Sequence, residues 1–334
     1  MKKGYLYVAL ATVLFSSMEV ALKMTGGSFN AIQLTFLRFL IGGLVLLPMA
    51  LRETGRKKAV LRKGDWAFFM VTGFICVVVS MIVFQLGVLY SPASVVAVLF
   101  SCNSVFMVLF AYLILAEHVY RHTVISIAIT LIGMAIIINP LHMGGSFVGV
   151  ILSLAAAVTF ALYNVIGRTH SDQYGGIPLT CYTFLFGCAE MFLLILLSHL
   201  PPLAGWFRAV GLPVFANIPL VAGISLQTLP GLAYVGIFVT GLGYTFYFLA
   251  LEKTSAATAS LVFYIKPVLA PVFALVLLNE AITRQLLVGI VFIIVGSLVA
   301  FIPGIRLRHQ SLKEDIREVG TEFEAETNET SMKP

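Results

Sequence analysis

Apolar residues fill this chain in long unbroken runs. Residues 69–89, FMVTGFICVVVSMIVFQLGVL, are typical. The run shows no strict alternation of apolar and polar positions, so it does not read as a barrel strand. It has about the 20 residues that a helix needs to cross the hydrocarbon core. The same pattern recurs and predicts ten spanning helices, at about 4–24, 31–50, 67–89, 93–115, 121–139, 146–168, 178–198, 229–250, 256–278 and 285–303. Segment 199–228 is apolar enough to suggest another span. However, Pro201, Pro202, Pro213 and Pro219 divide it and Arg208 and Asn217 interrupt it. It reads as a long loop with room for a short interfacial helix. The expected class is an all-α integral membrane protein.

Composition supports that class. Hydrophobic residues make up 60% of the 334 residues and charged ones 11%, against about 25% charged in a soluble domain. Backbone in lipid must bond internally, which leaves helices once a barrel is excluded. The N-terminal run has the basic start of a signal peptide, but it is too long for one and contains Glu19 and Lys23. It is expected to remain as the first span. Cys76, Cys102, Cys181 and Cys188 lie inside apolar runs and read as small core residues.

The net charge is +6, and its placement orients the chain. Of the 21 Lys and Arg residues, all but Lys23, Arg208, Arg284 and the in-span Arg38 and Lys266 fall on the N-terminal side of the ten-span scheme. The positive-inside rule then puts both termini in the cytoplasm, with the plasma membrane as the expected location. An eleventh span would move Arg306, Arg308 and Lys313 to the other side.

The chain also matches itself. At an offset of 163 residues Gly73 aligns with Gly236, Phe100 with Phe263, Glu117 with Glu280 and Gly133 with Gly296. At 145, Phe15 aligns with Phe160, Val20 with Val165, Thr35 with Thr180 and Gly42 with Gly187. The offsets differ by the extra length of the 199–228 loop. The expected organisation is two five-span repeats, 1–140 and 141–303, followed by a charged cytoplasmic tail, 304–334, that reads as disordered. Five is odd, so the copies enter the membrane from opposite sides. Such inverted repeats are typical of carriers with a site near the midplane.

Ionisable residues within spans are rare and usually face a cavity or a partner. Four lie deep: Glu19, Arg38, Glu190 and Lys266. Lys266, near the middle of its span, aligns with Asn103, and the two mark a central binding site. The competing reading is a structural pair of Lys266 with a carboxylate. Pro267 and Pro271 follow Lys266. Each removes a backbone donor and favours a kink, which suits a cavity wall. Glu19 is a candidate to bind a substrate amine or to carry a coupling proton; an i,i+4 contact with Lys23 or a pair with Arg38 is the plainer alternative. Asn164 is its repeat mate. Arg38 reads as a structural tie, although arginine also suits a carboxylate or phosphate. The role of Glu190 is left open. Gln85, Ser101, Tyr163, Tyr244, Tyr247 and Tyr264 are weaker candidates to line the site, since aromatic residues also simply pack. Glu117 and Glu280 end spans four and nine. The helix dipole disfavours a carboxylate there, so a compensating partner is expected, such as the N-terminus of the next helix. They read as turn, cap or gating residues.

The two stretches LFSCNSVFMVLFAYLILAEHVYRHTVISIAITLIGMAIII and VFYIKPVLAPVFALVLLNEAITRQLLVGIVFIIVGSLVAF resemble the paired EamA-type repeat of the drug/metabolite transporter superfamily. In that pattern an apolar span, often with proline, ends in a small residue or Asn followed by Glu, and a glycine-bearing span comes next. The resemblance covers about 4–303. It implies ten spans in inverted halves and transport of amino acids, amines, sugars or other small metabolites. The first repeat departs from the second by carrying Asn103-Ser104 in place of Lys266-Pro267, so the central site is expected to be asymmetric.

Other classes fit less well. An intramembrane enzyme needs clustered catalytic groups at depth, whereas the six histidines lie in loops, at span ends or in the tail. No cofactor fingerprint, metal motif or nucleic-acid module is visible. A channel would tend to show repeated charge rings or a carbonyl filter. A sensory or structural membrane protein would not account for the inverted repeat. The expectation is a secondary transporter, monomeric or homodimeric, that moves a small amino-acid-, carboxylate- or amine-like metabolite by alternating access. Proton coupling or exchange would drive it, with export as one direction.

Overall fold

The computed structural model describes residues 2–57, 63–138, 147–254 and 256–299. No strand occurs among them. Among the described residues, nine helices are long and apolar enough to cross a bilayer. They are span 1 (Lys3–Gly26), span 2 (Ala31–Arg56), span 3 (Gly64–Tyr90), span 4 (Ala93–Leu115), span 5 (Arg121–Ile138), span 6 (Phe147–Ser171), span 7 (Gly176–Leu197), span 8 (Leu229–Lys253) and span 9 (Leu261–Leu278). A tenth helix, Arg284–Val299, is shorter and is called span 10. The chain is thus a multi-pass membrane protein. The tail 304–334 lies outside the described residues.

Several of the helices depart from regularity. Span 1 is interrupted at Ser17, between Lys2–Ser16 and Met18–Gly26. Its hydroxyl meets the Tyr234 hydroxyl at 2.8 Å. Span 4 is interrupted at Cys102, between Ala93–Ser101 and Asn103–Leu115. Spans 3 and 8 each contain a π-helical stretch, Phe74–Ser80 and Tyr234–Leu242. Such stretches are rare and frequent at functional sites. Span 9 belongs to one helix, Ala256–Leu278, that continues through Pro267 and Pro271. Each proline leaves the carbonyl four residues back, Phe263 and Pro267, without its helical donor.

Packing runs between the two halves of the sequence. Span 2 lies against span 7 and against the π-helical part of span 8. Span 9 packs on the first half of span 4 and on both halves of span 1, and the second half of span 4 packs on span 6. Close backbone approach explains several glycines. A Cβ at Gly187 would come 2.6 Å from Val77 Cβ, and one at Gly42 would come 2.6 Å from Thr240 Cγ2. A Cβ at Gly133 would meet the Gly289 carbonyl at 2.9 Å, and one at Gly296 the Ser126 carbonyl at 2.9 Å. Small residues are what let membrane helices approach so closely. All four cysteines are buried. Large apolar side chains such as Leu113, Val276 and Val291 are exposed on the perimeter, where lipid would cover them.

One end of the bundle carries the 199–228 segment, here called the loop face. The segment holds a helix, Pro201–Ala209, with Pro201 at its first position and exposed Leu203 and Trp206. Asn30 donates to the Val214 carbonyl and Gln33 to the Ala222 carbonyl, which fasten the segment to span 2. The opposite end, where spans 1 and 8 meet near Gly4 and Thr254, is called the terminal face.

Candidate functional site

The break in span 1 sets Glu19 into the middle of the bundle. Lys266 approaches from span 9. The ammonium Nζ lies 2.7 Å from Glu19 Oε1, with 4% and 0% of the side chains exposed. The same ammonium stands 5.4 Å over the ring of Phe100 on span 4. Glu19 has no hydrogen-bond partner for either carboxylate oxygen among the described residues, so Lys266 offers it charge rather than an aligned bond. A buried pair of this kind is costly to assemble and more costly to split.

Arg38, on span 2, is 1% exposed. Its guanidinium meets two sulfurs, Met18 Sδ at 3.9 Å and Met81 Sδ at 3.4 Å. Cζ stands 4.4 Å from the Phe39 ring centre and 6.0 Å from that of Phe84. Nε has no partner among the described residues. Phe84 in turn packs on Phe100, with centroids 4.5 Å apart. Two buried basic side chains therefore flank one aromatic pair, and among the described residues one carboxylate, that of Glu19, pairs with them.

The other expected site residues divide. Gln85 is 2% exposed, and its Oε1 has no partner among the described residues. Ser101 and Asn103 are buried at the break in span 4, and Ser101 donates to the Ala97 carbonyl. Lys266 pairs with Glu19 and stands over the Phe100 ring, and among the described residues no hydrogen bond joins it to its repeat mate Asn103. Asn164 spends its amide on the carbonyl of Phe160 in its own helix. Tyr244 packs edge-on against Phe15 and Phe184. Tyr247 packs, tilted or edge-on, among Phe15, Phe248 and Phe263, and Tyr163 packs at a tilt against Phe160. Tyr264 is half-buried and, two residues from Lys266, points from a different side of the helix. Glu190 is half-buried, with Oε2 unpartnered among the described residues.

The two repeat-related glutamates differ in their surroundings. Glu280 accepts from the Ala93 amide at 2.8 Å, the Ser94 amide at 3.0 Å and the Ser94 hydroxyl at 2.8 Å. It caps the N-terminus of span 4, not that of the next helix as the sequence led one to expect. The reason is geometric: span 9 packs on the first half of span 4. Beside it, Lys23 donates to the Val88 and Ser91 carbonyls at the end of span 3. An anion sits on a helix N-terminus and a cation on a C-terminus, as their dipoles favour. Lys23 is therefore occupied there and does not pair with Glu19. Glu117, by contrast, bonds Arg168 at 2.8 Å with both side chains about half exposed.

Met18, Met81, Phe84 and Phe100 were not among the sequence candidates. Only the adjacency of Met18 to Glu19 and of Phe84 to Gln85 hints at them.

A bundle of apolar spans with ionisable groups at its centre suits a multi-pass membrane transporter, and the comparisons agree. The model of the EamA-like transporter family matches residues 2–139 and 147–302. The chain belongs to that family. It is 38% identical over 309 residues to an uncharacterized transporter of Clostridium kluyveri, covering 90% of this chain and 94% of that one. An uncharacterized transporter of Archaeoglobus fulgidus is 23% identical, with 88% and 97% covered. A solved crystal structure superposes with a TM-score of 0.62 at 19% identity, covering 91% of this chain and 97% of the other, a likeness of fold alone.

Proposed function

We propose that this chain is a secondary transporter that carries a small metabolite across the plasma membrane by alternating access, around a site built on Glu19 and Lys266. The observation that carries the reading is the buried 2.7 Å pair between spans 1 and 9. A charge in the bilayer interior is expensive and marks a transport path by default.

Several contacts support ten spans in two inverted repeats. Gly42 and Gly187 are repeat mates, as are Thr240 and Val77, and each glycine packs on the other half's partner. The Gly133–Gly289 and Ser126–Gly296 approaches are related in the same way. Ala116 and Asn279, again 163 residues apart, both take left-handed backbone, with φ of 53° and 54°. The Glu117 amide then reaches back to the Ala111 carbonyl, and Glu280 to Ala274.

In this reading the loop face is extracellular and both termini are cytoplasmic. Lys23 and Glu280 close the loop face, and the exposed Glu117 belongs to an opened cytoplasmic face. Protonation of Glu19 would release Lys266, which makes Glu19 the coupling candidate. Exchange between inward- and outward-facing states then moves the solute.

Flux through proteoliposomes tests this. Counterflow of amino acids, carboxylates and amines should find a carried solute, and an imposed pH gradient should change its rate. Glu19→Gln should abolish the pH response. Flux that ignores both the gradient and Glu19→Gln removes the coupling assignment. The absence of any carried solute across the panel removes the carrier.

A further inference from the structure

We infer that Arg38, rather than Lys266, is the anion-recognition group of the site, and that the substrate presents a carboxylate to it; this rests on the transport reading above.

The argument begins with charge. Lys266 is matched by Glu19 at 2.7 Å. No ion pair joins Arg38 to a carboxylate among the described residues. The cluster therefore holds one positive charge in excess, at Arg38. A guanidinium keeps its charge and carries five N–H donors in a planar fork. Those donors meet only thioethers, at 3.4 and 3.9 Å, while Nε meets nothing among the described residues. Thioethers are weak acceptors. A buried charge so poorly satisfied is costly, and a carboxylate bound through two parallel bonds matches the fork.

The surroundings fit a ligand better than a permanent tie. Methionine side chains are unbranched and flexible, so Met18 and Met81 can withdraw as an anion arrives. Met81, Phe84 and Gln85 lie at i, i+3 and i+4 on one face of span 3. Gln85 thus places a buried amide on the face that meets Arg38. Phe39, Phe84, Phe100 and Phe184 form an apolar frame, with centroids 4.6 Å apart for Phe39–Phe184 and 4.5 Å for Phe84–Phe100. One excess charge within an aromatic frame describes a small monocarboxylate with an apolar body. The arrangement also links the two parts of the site. Met18, which yields to the anion, precedes Glu19, which holds Lys266.

The test is binding to the detergent-purified full-length protein. The probes are 3-phenylpropionate and butyrate, their primary amides, and phenethylamine. The wild type should bind at least one carboxylate about tenfold more tightly than its amide, a difference of about 1.4 kcal/mol. Arg38→Lys and Arg38→Gln should bring that ratio close to one. A purely structural arginine would weaken both ligands together and leave the ratio unchanged. Should neither variant fold, the Glu19→Gln/Lys266→Met double variant decides, because it must keep the carboxylate preference if Arg38 supplies it. Loss of the preference there, an unchanged ratio in the Arg38 variants, or a wild type that binds no carboxylate above its amide each overturns the proposal. Carboxylates that bind but never cross proteoliposomes would remove the carrier reading and leave the Arg38 site. A neutral or cationic solute carried equally well by Arg38→Gln would do the reverse.

Discussion

Glu19 and Lys266, 247 positions apart in the chain, meet at 2.7 Å with almost no exposed surface. Removal of one partner strands the other charge, which costs about 3–5 kcal/mol, whereas removal of both is far milder. Lys266→Met and Glu19→Gln should therefore each lower thermal stability strongly. The double variant should recover most of it, giving a large favourable coupling in a double-mutant cycle. Additive losses would show that the two side chains do not depend on one another.

Glu280 holds two amides and a hydroxyl at the start of span 4. Glu280→Gln keeps the size but removes the charge, and hydrogen bonds to a charged group contribute about 1.5–3 kcal/mol each. The amides of Ala93 and Ser94 should exchange with deuterium about tenfold faster or more in the variant. Unchanged protection there would mean that the amides are held by something else.

Glu117 should behave oppositely. Its bond to Arg168 is half exposed, and such pairs contribute about 0–1 kcal/mol. Glu117→Gln should leave the melting temperature nearly unchanged. It should still slow flux through proteoliposomes, if Glu117 serves the terminal face as Glu280 serves the loop face. Wild-type flux in this variant would confine Glu117 to a surface role.

A methyl group at Gly187 would come 2.7 Å from the carbonyl oxygen of Gly73 as well as against Val77. At Gly42 the nearest obstacle is a threonine methyl. Backbone yields less than a side chain. Gly187→Ala should cost about 1–3 kcal/mol and Gly42→Ala less, read as the order of their melting temperatures in one detergent. The reverse order would mean that spans 3 and 7 separate more easily than spans 2 and 8.

Much of this was legible because a bilayer imposes simple rules. Apolar runs of fixed length mark the spans, and a lysine in the middle of one asks for a reason. The observed helices follow the expected runs, with span 2 extending beyond residue 50 to Arg56. The 199–228 segment carries the short helix for which its prolines left room. The pairing of Glu19 with Lys266 was not legible. Those residues belong to segments that repeat at different offsets, and no local spacing sets span 1 against span 9. The partner of Glu280 was not legible either, because tertiary packing, not the adjoining turn, brings the start of span 4 to it. Nor were the neighbours of Arg38, because sulfurs and rings leave no charge pattern in the sequence.

The paired left-handed residues carry a last consequence. Asn tolerates that conformation, while an alanine there costs roughly 1–2 kcal/mol. The chain turns at Ala116 before Glu117 and at Asn279 before Glu280. Two turns of one shape therefore differ in backbone strain. The turn at Ala116 carries a strain that its counterpart at Asn279 does not, and the two pseudosymmetric ends of the molecule are unequal in cost.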